Sequence, residues 1–198
     1  MTLKSANAAA LLGRANRADS LIHAAEQLQD ARVLITGAGG SIGSHLSRSL
    51  AGKVESLVLL DHHEHSLHDL VLDLQGASVR PSYVLADVRD GVKMRRLLHR
   101  ERPTHIFHLA AYKHVPFGQL FPEETVSVNI LATRELLNLS VETGVRCFVY
   151  PSSDKAVNPP SLYGATKRIG EVATQQCALA HGQPFQVVRY VNVLGTRG

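Results

Sequence analysis

Apolar residues along the chain gather in short runs of strand length, separated by longer stretches with the spacing of amphipathic helices. The runs are "RVLIT" (Arg32–Thr36), "SLVLLD" (Ser56–Asp61), "SYVLA" (Ser82–Ala86), "HIFHLA" (His105–Ala110), "CFVYP" (Cys147–Pro151) and "FQVVRY" (Phe185–Tyr190). Between them the clearest helices are expected over Glu123–Thr143 and Leu162–His181. Strand alternating with helix predicts an α/β fold, a doubly wound and mostly parallel sheet, over residues 29–198. Residues 1–28 are Ala-rich, contain no strand pattern and read as a helical or loose extension.

Composition narrows the picture without naming a chemistry. With 198 residues, 44% hydrophobic and 19% charged, the chain suits one soluble globular domain with a substantial core. Its 21 Lys and Arg against 17 Asp and Glu give a net charge of +4, which favours anionic partners such as phosphates without demanding nucleic acid. The strongest nucleic-acid candidate is "KMRRLLHRER" (Lys93–Arg102), but a basic run on a helix is more often a solvated face, and no nucleic-acid partner is expected. Cys147 and Cys177 lack metal-ligand spacing and read as buried thiols in a reducing compartment. No apolar run approaches the roughly 18 residues of a membrane span, so no membrane partner is expected. The N-terminal "AAALL" is too short for a signal-peptide core, although the lack of acids before Asp19 leaves a transit peptide as an alternative to the default cytoplasmic location.

The first chemistry appears in "VLITGAGGSIGSHL", where Gly37, Gly40 and Gly43 follow a strand and open a helix. Glycines permit the tight turn and close backbone approach of a diphosphate, and the helix start, with Ser41 and Ile42, adds N–H groups and a positive dipole. A glycine triad alone can mark only a turn before a helix. Here Asp61 ends the next strand, where a carboxylate can accept hydrogen bonds from an adenosine ribose, completing a Rossmann dinucleotide signature. Asp61 should repel a 2'-phosphate, so NAD is favoured over NADP, with His62 or His63 as the residues able to reverse that preference. His62, His63, His65 and His68 also admit a metal reading, weighed against solvent-facing histidines at a helix start; no metal is expected.

The second chemistry lies in "SSDKAVNPPSLYGATKR" (Ser152–Arg168), which holds an adjacent Asp154 and Lys155 and a Tyr-x-x-x-Lys spacing at Tyr163 and Lys167. An i, i+4 pair shares one helix face, and an ammonium beside a phenol stabilises the phenolate. Without flanking motifs Asp154 and Lys155 would be a solvated loop ion pair. Together with the glycine loop, the segment resembles the extended, nucleotide-sugar branch of the short-chain dehydrogenase/reductase superfamily over Val33–Gly198. "SSDKAVNP", "YGATKR", "AAYKHVP" (Ala110–Pro116) and "RYVNVLGTRG" (Arg189–Gly198) narrow this to the UDP-N-acetylglucosamine 4,6-dehydratases of polysaccharide biosynthesis. "LLGR" (Leu11–Arg14) resembles a segment preceding the catalytic domain in their longer, membrane-tethered relatives. Tyr163 stands where those long relatives often carry Met, and Val191 where the family usually has Gly.

The resemblance implies roles. Tyr163 is the acid/base for the sugar 4-hydroxyl, and Lys167 binds the nicotinamide ribose and lowers the Tyr163 pKa. Lys155 removes the C5 proton, Asp154 protonates the departing 6-hydroxyl and Ser153 holds the 4-oxygen. A lysine acts as such a base only if burial or nearby cations depress its pKa. Asp87 and Val88 correspond to the adenine-contacting pair, and Leu109, Ala110 and Ala111 to the segment on which the cofactor packs. Lys113 and His114, at the end of the fourth strand, and Asn192 fall on the substrate side, while Asn129 and Asn192 also fit plain structural hydrogen-bonders. The implied partner is a UDP-sugar, with a homo-oligomer left open. The family continues into a substrate domain that residues 1–198 largely lack, so a truncated form is expected. The alternatives are a dinucleotide-binding module without catalysis, and a nucleotide-sugar 4-epimerase, which needs Tyr163 and Lys167 but not Asp154 and Lys155.

Overall fold

A computed structural model describes residues 26–77, 80–193, 195 and 196. The extension expected over residues 1–28 lies outside them up to residue 25, and "LLGR" lies outside them entirely. Six strands, β1 (Arg32–Thr36), β2 (Ser56–Asp61), β3 (Ser82–Leu85), β4 (His105–His108), β5 (Cys147–Ser153) and β6 (Gln186–Tyr190), form one sheet in the order β3-β2-β1-β4-β5-β6. Every neighbouring pair is parallel.

The central strands are buried on both faces, which is why they read as continuous apolar runs. On β1 and β2, Val33, Ile35, Leu57 and Leu59 face one cluster, while Leu34, Val58 and Leu60 face the other. The first cluster is closed by helices α1 (Ser41–Leu50) and α2 (Glu64–Asp73) through Leu50, Leu67 and Leu70. The second is closed by α3 (Gly91–Glu101), through Met94, Leu97 and Leu98, and by the later helices. Of these, the short α4 (Val115–Leu120) and α5 (Pro122–Val126) come first along the chain, and α6 (Thr133–Glu142) and α7 (Leu162–His181) supply residues such as Leu136 and Ala173. The basic run on α3 is a solvated face: its apolar residues enter the core, and Arg95 and His99 pair with Glu142 on α6.

Three departures from the sequence pattern matter for the site. The helix expected over Glu123–Thr143 contains a π-helical turn, Ser127–Ala132, between α5 and α6. It turns Asn129 inward, where its amide accepts from Tyr112 N (2.9 Å), donates to Tyr112 O (2.9 Å) and donates to Thr166 Oγ1 (3.1 Å). Strand β5 runs on to Ser153 and passes directly into a 3-10 turn, Asp154–Ala156. The cysteines are half-buried rather than buried, both are free, and burial pushes both thiol pKa values up.

Sheet order places the site. Strands β1 and β4 are neighbours, yet the chain leaves them toward opposite faces, so their C-terminal ends frame a crevice of the kind where open α/β sheets bind ligands.

Candidate active site

The glycine loop forms one wall of this crevice. Gly37 adopts φ +70° and lies against the β4 exit so closely that an added Cβ would be 2.6 Å from Ala110 N. At Gly43 an added Cβ would be 2.2 Å from Gly37 O, so this glycine closes the loop on itself. Gly40 differs: its Cβ would meet only Gly37 O, at 3.2 Å, and otherwise point into open space. A cradle that a side chain would fill fits a diphosphate, and the start of α1 at Ser41 faces it with the positive end of the helix dipole.

The cleft runs both ways from this loop. On one side a cavity of about 290 Å³ is bounded by Asp61, His62, Asp87, Val88 and Ala110. Asp61 is buried, with Oδ2 accepting from Gly39 N (2.8 Å) and Oδ1 from His63 N (2.9 Å). An ionised carboxylate offers about four lone-pair directions, so two remain for a ribose diol. Arg89 grips Asp87 from its own backbone and side chain and also pairs with Glu124, holding the Asp87 carboxyl below its usual pKa. The four histidines after Asp61 are exposed; His63 caps α2 by accepting from Ser66 N (3.2 Å). Among the described residues no group of three His, Cys, Asp or Glu could hold a metal ion.

On the other side a cavity of about 400 Å³ brings together Ser153, Lys155, Tyr163, Lys167 and Asn192 with the loop residues Ile42 and Gly43. Leu109, Ala111, Lys113 and His114 border both cavities, so every expected site residue except Asp154 and Asn129 lines the cleft. Asp154 sits on the exposed 3-10 turn, where it accepts from Ser153 Oγ (2.8 Å) and lies 3.6 Å from Lys155 Nζ. Both the Ser153 hydroxyl and the Lys155 backbone N–H, 3.3 Å from Ser153 Oγ, hold the turn together.

Two expectations about these side chains are not met. Lys155 is 43% exposed and its close charge is a carboxylate, so the burial or cationic neighbour expected of a basic lysine is not provided by the described residues. The Tyr163 phenol is raised in pKa by burial, which outweighs the lowering by the Ser153 hydrogen bond, and the Asp154 charge raises it a little further. Lys167 does not counter this, because its ammonium is turned to the Pro151 carbonyl (2.9 Å). That ammonium is buried, and burial brings its pKa down to about 8.

Three buried polar groups beneath the cleft carried no recognisable signal in the sequence. His108 bonds Thr36 Oγ1 (2.7 Å) and Thr133 Oγ1 (2.9 Å), joining β1, β4 and α6, and burial lowers its pKa to about 3. Glu171 on α7 receives Arg189 from β6 through two bonds of 2.6 and 2.7 Å, and Arg168 through one of 2.9 Å. Arg189, first, and Arg168 hold its carboxyl near pKa 2. Tyr150 is buried, with its ring under Lys167. Most of their partners lie on other elements: Thr36 and Thr133 for His108, Arg189 for Glu171 and Lys167 for Tyr150.

A six-stranded parallel Rossmann sheet with a glycine loop at its crossover and Tyr163 and Lys167 on one helix defines a protein of the short-chain dehydrogenase/reductase type. Residues 33–198 match the model of a family described as polysaccharide biosynthesis protein, and the chain belongs to that family. It is 36% identical over 99% of its length to the probable polysaccharide biosynthesis protein EpsC of Bacillus subtilis, covering 33% of that protein. It is 32% identical to the UDP-N-acetylglucosamine 4,6-dehydratase (inverting) of a Campylobacter jejuni strain, over 84% of this chain and 50% of that one. Among solved structures it resembles the UDP-glucose 4-epimerase of Stenotrophomonas maltophila with bound NAD and formylated UDP-arabinopyranose. That likeness has a TM-score of 0.71 at 27% identity, over 80% of this chain and 52% of the other. The chain thus spans about half the length of these relatives or less. Among the described residues no helix is long and apolar enough to cross a membrane.

Proposed function

We propose that this chain carries the cofactor half and the reacting side chains of an NAD(P)-dependent nucleotide-sugar 4,6-dehydratase acting on UDP-N-acetylglucosamine-type substrates in polysaccharide biosynthesis. The observation that carries the reading is a single cleft joining Asp61, the glycine loop and the group Ser153, Lys155, Tyr163 and Lys167. The similarity to the Campylobacter dehydratase and the bound NAD of the epimerase structure support it. Asp61 would receive the adenosine ribose, Gly40 and the start of α1 the diphosphate, and Lys167 the nicotinamide ribose. Bound there, NAD(P)+ would supply a hydride acceptor for the sugar C4 and, once reduced, the hydride donor for C6.

The chain's own residues move the protons. Tyr163, once ionised, takes the proton of the 4-hydroxyl as that carbon is oxidised to a ketone, and the ketone acidifies the C5 proton. Lys155 takes that proton, and Asp154, protonated, gives its own to the 6-oxygen, which leaves as water; C5 regains a proton as C6 is reduced. The exposure of Lys155 means that substrate must bury it before it can act as a base, and the Tyr163 pKa, raised by burial, means that a positive charge must be brought beside the phenol, as the oxidised cofactor would bring it.

A 4-epimerase would use Tyr163 and Lys167 alone, and the epimerase structure favours that second reading. A binding module without catalysis would leave Asp154 and Lys155 as the exposed ion pair they form here. Incubating UDP-N-acetylglucosamine and NAD+ in deuterated water with the chain, and with the chain extended by the C-terminal half of a relative, separates the three. A 4-keto-6-deoxy sugar with deuterium at C5, lost in Lys155→Ala, is the expected product of the extended form. Epimer without dehydration supports the second reading, and cofactor binding without turnover in both forms the third. Deuterium at C5 in Lys155→Ala means another residue is the base.

A further inference from the structure

Lys167 is an ammonium group with 5% of its surface exposed, and no carboxylate pairs with it among the described residues. A charge so placed is expensive unless something replaces water around it. Two consecutive residues of β5 do so. The Pro151 carbonyl accepts from Nζ at 2.9 Å, and Nζ stands 4.8 Å from the centroid of the Tyr150 ring, inside the range over which a ring face attracts a cation. Tyr150 is 1% exposed, and its hydroxyl is buried with no hydrogen-bond partner, so the hydroxyl is a burden and the ring is what the position uses. Room for it depends on Gly170, one helical turn beyond Lys167, where an added Cβ would be 2.2 Å from the Tyr150 oxygen.

We propose that Tyr150 is a positioning residue for Lys167: its ring face keeps the ammonium charged and fixed at the cofactor end of the cleft. Tyr150 borders neither cavity and acts only through Lys167. The proposal rests on the reading that Lys167 meets the nicotinamide ribose, but the state of the ammonium can be measured without cofactor. The groups that bear on it are few. His108 approaches from β4, Tyr150 from β5, Tyr163 and Glu171 from its own helix, and Glu171 is already engaged by Arg168 and by Arg189 of β6.

The folded pKa of Lys167, about 8, lies below its ordinary 10.5, so the folded state binds fewer protons between these values. Stability referred to Lys167→Met therefore rises with pH above about 8 and levels off near 10.5. Urea unfolding across this range reads the onset directly. Tyr150→Phe keeps the ring and is expected to keep the onset and to be no less stable than the wild type. Tyr150→Leu removes the ring face and is expected to move the onset down by about one pH unit. It should also weaken NADH binding about fivefold at pH 8, where the charged fraction of the lysine falls from about a half to about a tenth. Pentafluorophenylalanine in place of Tyr150 reverses the ring's charge distribution with nearly the same shape, and serves if the leucine variant does not fold. An onset unchanged in both the leucine and the fluorinated proteins, or lowered as much in Tyr150→Phe, overturns the proposal. If the wild type binds no NADH, the cofactor reading fails, and the onset still decides whether the ring holds the charge.

Discussion

At the scale of single residues, the glycines of the phosphate loop separate binding from folding. Gly40→Val should abolish NADH binding measured by calorimetry while leaving the thermal midpoint within a few degrees, because its side chain would project into the cleft. Gly43→Ala should do the opposite first, costing about 2–4 kcal/mol in urea unfolding, because its Cβ would lie 2.2 Å from a backbone oxygen. Equal loss of stability in both variants would mean the cradle is no more open than the loop interior. Asp61 belongs with Gly40: Asp61→Ala should narrow a preference for NAD over NADP by removing a charge that repels the 2'-phosphate. If the unsubstituted chain binds NADP as tightly as NAD, the exposed His62 has outweighed Asp61.

At the scale of elements, α7 is the organiser. It carries Tyr163 and Lys167 into the cleft and, one turn on from Lys167, buries Glu171 between Arg168 and Arg189, which ties the helix to β6. Glu171→Gln should destabilise the fold by about 3 kcal/mol at neutral pH, since it leaves two guanidinium groups around an uncharged amide. The Glu171 pKa falls on folding from 4.5 to about 2, so its stabilisation is complete above pH 4.5 and lost as pH drops toward 2. The glutamine variant should lack that part of the acid-limb slope, and identical slopes would remove Glu171 from the account. The strands and α7 were legible in the sequence because apolar runs and amphipathic helical spacing are local signals. The π-helical turn was not, because Asn129 is held by Tyr112 and Thr166, contacts between residues far apart in sequence. The site was legible as a set of residue types at the right spacings. Whether Lys155 is buried, and where Lys167 points, depend on packing that no spacing encodes.

At the scale of the whole molecule, His108 is the pin through the middle of the sheet. Buried and neutral, it has a folded pKa of about 3 against 6.5, so stability should decline as pH falls from about 6.5 toward 3, when the unfolded chain takes up a proton that the folded one refuses. His108→Gln should flatten this part of the urea-derived stability profile at the cost of a lower plateau; an unchanged slope would place the acid sensitivity elsewhere. The same pin lies beside the seam where Ala110 N reaches Thr36 Oγ1 across 74 residues of chain. The full cofactor cleft is therefore assembled from two stretches that meet only when the two halves of the sheet dock. In kinetic terms, the first half alone offers a dinucleotide Gly40, Asp61 and the start of α1 but neither Lys167 nor the β4 exit on which Gly37 packs, a partial grip too weak to guide the search that brings the halves together. Added NADH should leave the refolding rate nearly unchanged and slow unfolding instead, so that its stabilisation appears almost wholly as a longer lifetime of the folded chain.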